Sequence, residues 1–201
     1  ESLQVKGLIE NCTLLPAIKC QEEMLSMVHL PEYLAIAKKN ILEGNKTLST
    51  GDTQVCLDSW NVALGATGGL LHAIDRIFSG ELKRAFSLSR PPGHHATPSR
   101  GMGFCLFNHV AIAARYAQKV HNVEKVLIVD WDVHHGNGTQ DSFYDDESVF
   151  FFSTHQYPWY PGTGSTEETG TGKGLGSTLN IPLPAGSGRK DLVEGAFGQD
   201  L

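Results

Sequence analysis

The sequence predicts an α/β domain built on a mainly parallel sheet, and three stretches carry that prediction. Residues 126–129 (V-L-I-V) are an unbroken aliphatic run that ends in acidic and imidazole residues and is stopped by Gly136 and Gly138. Such a run reads as a strand buried on both faces, of the kind found inside parallel sheets. Residues 149–153 (V-F-F-F-S) repeat the pattern, and helical periodicity over residues 60–78 and 108–120 supplies the alternating helices.

Composition sets the outer limits. A chain of 201 residues suits one sizeable domain, here taken as 1–201, and its 40% hydrophobic content is that of a globular protein. A net charge of −6 argues against a nucleic-acid-binding surface. The cysteines Cys12, Cys20, Cys56 and Cys105 form no CxxC and no zinc-ribbon spacing, so they read as reduced thiols. No apolar run approaches the roughly 18 residues of a membrane span. With no secretion signal in view, the expectation is an intracellular protein, cytoplasmic or nuclear in a eukaryote and cytoplasmic in a bacterium.

In chain order, residues 1–20 show no clear period. Residues 21–29 are a short helical candidate with Met24, Leu25 and Val28 on one face. Pro31 suits the first turn of a helix over 31–42, with Gly44 as its stop. Residues 45–58 are polar and turn-rich, a surface loop with Gly51-Asp52-Thr53 at its tip. Ser59 is the expected N-cap of a long helix over 60–78, closed by Gly80. Gly65, Gly68 and Gly69 inside it cost about 1 kcal/mol each relative to Ala, which predicts close packing against the sheet. Phe86 and Leu88 alternate in a short strand over 85–89. Residues 137–144 form a short helix, 155–176 a glycine-rich loop, 177–181 a strand, and 189–201 the start of a helix. The loop is not a phosphate cradle, because Gly172-Lys173 is followed by Gly174 and Glu167 stands where an earlier glycine is needed.

Chemistry concentrates in two places. Residues 129–139 read V-D-W-D-V-H-H-G-N-G-T, and alternation along a strand points Asp130, Asp132 and His134 the same way. Two carboxylates and an imidazole at the end of a buried strand are costly without partners, and a divalent cation is the natural one. The competing reading, a helix-capping Asp among ordinary loop residues, explains a lone Asp-x-Asp better than this fuller pattern. In R-P-P-G-H-H-A, two prolines and a glycine hold His94 and His95 rigidly where a strand ends. Paired imidazoles there suit acid–base chemistry near neutral pH.

R-P-P-G-H-H-A, then G-M-G-F-C-L-F-N at 101–108, V-D-W-D-V-H-H-G-N-G-T at 129–139, and S-T-H-Q with Y-P-G-T-G between 153 and 164 follow one another in an order that resembles the zinc-dependent histone deacetylase family. The likeness lies with its class II and bacterial branch, which includes acetylpolyamine amidohydrolases. It runs from V-H-x-x-E-Y-L at Val28 to the end of the chain. The resemblance implies the three-layer α/β/α arginase/deacetylase-like fold. It also implies Zn2+ held by Asp132 and His134, and an acid–base pair His94 and His95 backed by Asp130 and Asn137. Phe104 and Tyr160 match the aromatic walls of an acyl-lysine slot, with Gly103 beside it and Asp52 at its rim. Phe is more usual at the wall position where Tyr160 stands. Asp130 and Ser153 match a monovalent-cation site, K+ in the family, while His135 and His155 read as structural.

Two elements that the family uses are not recognisable after Ile181: an Asp as third zinc ligand, and a Tyr or His that hydrogen-bonds the oxyanion. The chain is therefore expected to be part of a longer deacetylase and nearly inactive alone. The implied substrate is acetyl-lysine of histones or other proteins. The alternatives are an acetylpolyamine or other small acetylated amine, or an inactive form that binds acetylated ligands or partners. The His-His pair after Pro-Pro-Gly argues against an arginase-like manganese site.

Overall fold

The computed structural model describes residues 7, 9–196 and 198, and a parallel sheet organises them. β1 (Val126–Asp130), β2 (Val149–Gln156) and β3 (Thr178–Leu183) lie in the order β1-β2-β3, all parallel. The register sets Ile128 against Phe151, Asp130 against Ser153, and Ser153 against Asn180. On β1 and β2 the face these residues share is thus apolar where the strands begin and polar toward their carboxyl ends, where open α/β sheets place ligands.

Among the described residues there are four α-helices: α1 (Pro31–Leu42), α2 (Ser59–Phe78), α3 (His109–His121) and α4 (Asn137–Phe143). Pro31 occupies the first turn of α1, where its missing N–H costs nothing. The Asn108 side chain caps α3 by accepting from the Ala111 amide, and Asn122 ends that helix in a left-handed turn at φ 55°. α3 joins two packed regions. Its Ile112 packs with Trp60, Leu64, Leu71 and Phe107 in the helical core. Its small Ala111 and Ala114 let it approach Ile128, Val149 and Phe151 of the sheet, with Phe143 of α4 alongside. Full burial of Phe143 and Phe151 contributes about 1.5–3 kcal/mol for each ring.

Several expectations need correction. The strand over 85–89 does not form, and Phe86 and Leu88 are 82% and 68% exposed. Alternation alone makes no ladder, and the segment has no strand partner among the described residues. β1 is not buried on both faces, since Leu127 is 58% exposed and Ile128 alone is buried. Ser59 is the first residue of α2 and not its cap; its hydroxyl accepts from the Cys56 amide instead. The glycines of α2 do not face the sheet. A Cβ at Gly68 would overlap the backbone of Ile18 and Cys20, while Gly65 and Gly69 face open space. The short helix over 21–29 is a 3-10 turn, Glu22–Met27, and the one over 189–201 is a π-type turn, Asp191–Ala196, as far as the described residues reach. Among the described residues no helix is long and apolar enough to cross a membrane.

Candidate active site

The segment carrying His94 and His95 is held by its backbone at several points. The Thr139 amide near the start of α4 donates to the His94 carbonyl (3.1 Å), and the Asn108 side chain donates to the Ala96 carbonyl (3.1 Å). Buried His29 accepts from the Asn108 amide at Nε2 (2.9 Å), so its proton sits on Nδ1, 3.0 Å from the Thr97 carbonyl. Burial pushes the His29 imidazole down to about 4, which keeps that neutral tautomer. Glycines permit the close approaches. A Cβ at Gly93 would come within 2.8 Å of the His109 amide, and one at Gly138 would overlap the Ala96 carbonyl.

His94 Nδ1 lies 2.8 Å from Asp130 Oδ2, and His95 Nδ1 lies 2.9 Å from Asn137 Oδ1. The two rings sit 4.0 Å apart, centroid to centroid. Their electrostatics diverge. Burial alone would lower His94, but the hydrogen bond and charge of Asp130, with Asp132 behind, outweigh it and raise the group. Burial, reinforced by the charge of His94, pushes His95 down to about 4 against the Asn137 hydrogen bond. Burial likewise works to raise Asp130, and the hydrogen bond and charge of His94 prevail and lower it.

Asp132 and His134 follow the end of β1. The turn is held by side chains, with Asp130 Oδ1 accepting from the Asp132 amide (3.1 Å) and Asp132 Oδ1 from the His134 amide (2.8 Å). Strand alternation therefore ends at Asp130, and these short turns aim the next two groups. His134 Nδ1 is 3.1 Å and His94 Nε2 3.9 Å from Asp132 Oδ1. The Asp132 and His134 side chains are 49% and 37% exposed, so a carboxylate and an imidazole stand adjacent and accessible. That pairing fits zinc in donor type. Among the described residues no third His, Cys, Asp or Glu completes a metal-binding group.

The Tyr160 ring stands edge-on to His95 at 5.0 Å and to His134 at 6.0 Å. Its hydroxyl donates to Asp52 Oδ2 (3.3 Å), and Asp52 Oδ1 accepts from the Gly103 amide (2.8 Å). Burial, then the Asp52 charge, pushes the phenol up to about 12. Gly103 has φ +57°, and a Cβ there would overlap the His95 ring. Thus His94, His95, Asp130, Asp132, His134, Asn137, Gly103, Tyr160 and Asp52 come together. Phe104, at φ 66° and 68% exposed, makes no ring contact with Tyr160 or the histidines among the described residues. Ser153 lies beside Asp130 across the sheet and bonds His155 Nδ1 (2.9 Å). Sequence reading passed over Gln140 and Glu168, which join α4 to the loop carrying Tyr160 (2.6 Å). Only a buried-side position on α4 marks Gln140, and no local pattern marks Glu168.

Fold and geometry define an α/β domain whose strand ends carry a histidine pair, each with its own partner, next to an Asp–His pair of metal-ligand type. The chain is similar to known proteins along most of its length. The family model of the histone deacetylase domain matches residues 1–197. A probable deacetylase of Archaeoglobus fulgidus is 43% identical over 94% of this chain and 52% of its own length. A polyamine deacetylase, HDAC10, of Rattus norvegicus is 38% identical over 96% of the chain and 35% of its own. The crystal structure of the HDA15 HD domain superposes with TM-score 0.90 at 38% identity, over 96% of this chain and 56% of that one. The chain belongs to the histone deacetylase family, and its fold is the three-layer α/β/α arginase/deacetylase type. It spans about half the length of the archaeal relative and of that solved domain.

Proposed function

We propose that the protein carrying this chain is a zinc-dependent deacetylase that hydrolyses the acetyl amide of acetyl-lysine. The observation that supports this most is the pair of histidines with unlike partners, His94 on Asp130 and His95 on Asn137, beside Asp132 and His134. Asp132 and His134 hold the zinc ion, which when bound polarises the acetyl carbonyl and acidifies a water. A third protein ligand is the norm for such a site. The Asn137 carbonyl oxygen can only accept, so His95 carries its proton on Nδ1 and leaves the Nε2 lone pair free. His95 is therefore the group that takes a proton from the attacking water. His94, raised by Asp130, holds the proton that the leaving amine needs. Tyr160 and Phe104 wall the acyl-lysine slot with Gly103 beside it, and Asp52 holds the substrate at the rim. Apolar walls admit the neutral acetylated stem and disfavour a charged lysine head. Asp130 and Ser153, partners across the sheet, supply ligands for a structural potassium ion.

A second reading is favoured by the relative named a polyamine deacetylase. In it the exposed Asp52 carboxylate receives the ammonium groups of an acetylpolyamine. Steady-state hydrolysis of an acetyl-lysine peptide and of N-acetylated polyamines, with and without zinc, tests both. Zinc-dependent turnover that His95→Ala abolishes is the expected result. No turnover of any acetylated amine by the zinc-loaded protein would overturn the proposal, and preference for the polyamines would select the second reading.

A further inference from the structure

A partly buried polar network ties the loop after β2 to α4. Glu168 Oε1 accepts from the Gly164 and Ser165 amides at 2.8 and 3.0 Å, and Oε2 accepts from Gln140 Nε2 at 2.6 Å. Burial works to raise the Glu168 carboxyl, but the hydrogen bonds from Gln140, Ser165 and Gly164 outweigh it and keep the group ionised. An ionised carboxylate only accepts, so it orients every group around it. Gln140 must present its NH2 to Glu168 and therefore its oxygen to His135 Nε2 (3.1 Å) and to Asn180 Nδ2 (2.7 Å). That oxygen accepts, so His135 carries its proton on Nε2, and its Nδ1 takes the Thr163 hydroxyl (2.8 Å). The Gly164 carbonyl is held by His155 Nε2 (2.8 Å). A side chain at Gly164, φ +94°, would overlap both imidazoles. Residues 163–165 are thereby fixed at each residue. They directly follow the turn closed by the Gly162 amide on the Trp159 carbonyl (2.7 Å), which carries Tyr160. Gln140 lies one turn along α4 from Asn137, the partner of His95.

We propose that Glu168 is a positioning residue that sets the Tyr160 ring against His95, coupling the slot wall to the helix that holds the acid–base histidine. The geometric part stands alone, while its effect on ligand affinity rests on Tyr160 being a slot wall. Glu168→Gln leaves one acceptor oxygen for three donors and sets its own NH2 against Gln140 or the backbone amides. The swap Glu168→Gln with Gln140→Glu restores a donor facing an acceptor between the two side chains.

The test uses the full chain. The first measurement is the NMR shift of the His95 ring protons, which sense the Tyr160 ring 5.0 Å away. The second is the Kd of an N-acetyl-lysine peptide by calorimetry. Glu168→Gln should move the His95 shift in the same direction as Tyr160→Ala, and the double swap should return it toward wild type. Affinity should fall about tenfold in Glu168→Gln, in line with losing a charge-assisted hydrogen bond, with no further fall when Tyr160→Ala is already present. An unchanged His95 shift in Glu168→Gln, when Tyr160→Ala does move it, would overturn the positioning role. A shift that moves in both variants while peptide affinity stays constant in both would leave Glu168 in its role and reject Tyr160 as a slot wall.

Discussion

Asn137 presents its carbonyl oxygen to His95 Nδ1 at 2.9 Å while its NH2 faces the Met102 sulfur at 3.5 Å. The weak acceptor on one side and the imidazole on the other orient the amide, and the amide in turn fixes which His95 nitrogen is free. Replacing the neutral partner by a carboxylate, Asn137→Asp, keeps the geometry and adds charge. His95 stands at about 4, and the added charge raises it. A base is inactive below its pKa, so the acid limb of the kcat/KM profile should move up toward neutrality. Asn137→Leu, which removes the acceptor, should lower kcat/KM by about 10–100-fold. A pH–rate profile on an acetyl-lysine peptide reads both, and an acid limb that stays in place in Asn137→Asp would count against His95 as the base.

Gly138, the second residue of α4, faces the backbone of His95 and Ala96, where an added Cβ overlaps the Ala96 carbonyl. Ala is ordinarily the better helix former by about 1 kcal/mol. Here Gly138→Ala should instead destabilise by about 1–3 kcal/mol, because backbone cannot yield as a side-chain tip can. Gly65, inside α2 and facing open space, should behave in the opposite way, with Gly65→Ala gaining about 0.5–1 kcal/mol. Urea midpoints of the two variants against wild type check the pair of signs together.

These contrasts show what the sequence could carry. The bounds of α1 follow from Pro31 and Gly44, which act within one turn of themselves, and the same holds for Gly80 after α2. Phe86 and Leu88 alternate as a strand should, yet a strand exists only where a neighbour pairs with it, and alternation is silent about that. The metal-type cluster was visible because Asp130, Asp132 and His134 are close in sequence. Their aim was not, since the Asp side chains turn the backbone after β1 ends. Glu168 lies 28 residues from Gln140 in a loop without period, so nothing local separates it from neighbouring Glu167.

Zinc affinity should depend on Asp132 and His134, the adjacent carboxylate and imidazole after β1. Asp132→Asn and His134→Gln should each weaken zinc binding at least about tenfold. His121→Gln should not, since that imidazole is engaged by Asp75 at 2.8 Å on the helical side. Zinc titration followed by metal analysis of the dialysed protein distinguishes them. Equal zinc uptake by all three variants would place the ion elsewhere.

Acid should unfold the chain partly through His29. Its folded value is about 4 against an ordinary 6.5, so between those values the unfolded chain binds more protons than the folded one. Stability is then fully present above about 6.5, declines as pH falls through the window, and levels off below about 4. The structural reason is specific: protonation at Nε2 would set a new N–H against the Asn108 amide that now donates there at 2.9 Å. Buried His109, also lowered by burial to about 4, adds to the same slope. His29→Asn keeps a donor for the Thr97 carbonyl and removes the titration. Its unfolding free energy from urea titration should be lower than wild type near neutrality, and the gap should narrow by on the order of 2–3 kcal/mol on acidification to about pH 4. A gap that stays constant across the window would show that His29 is protonated as easily folded as unfolded.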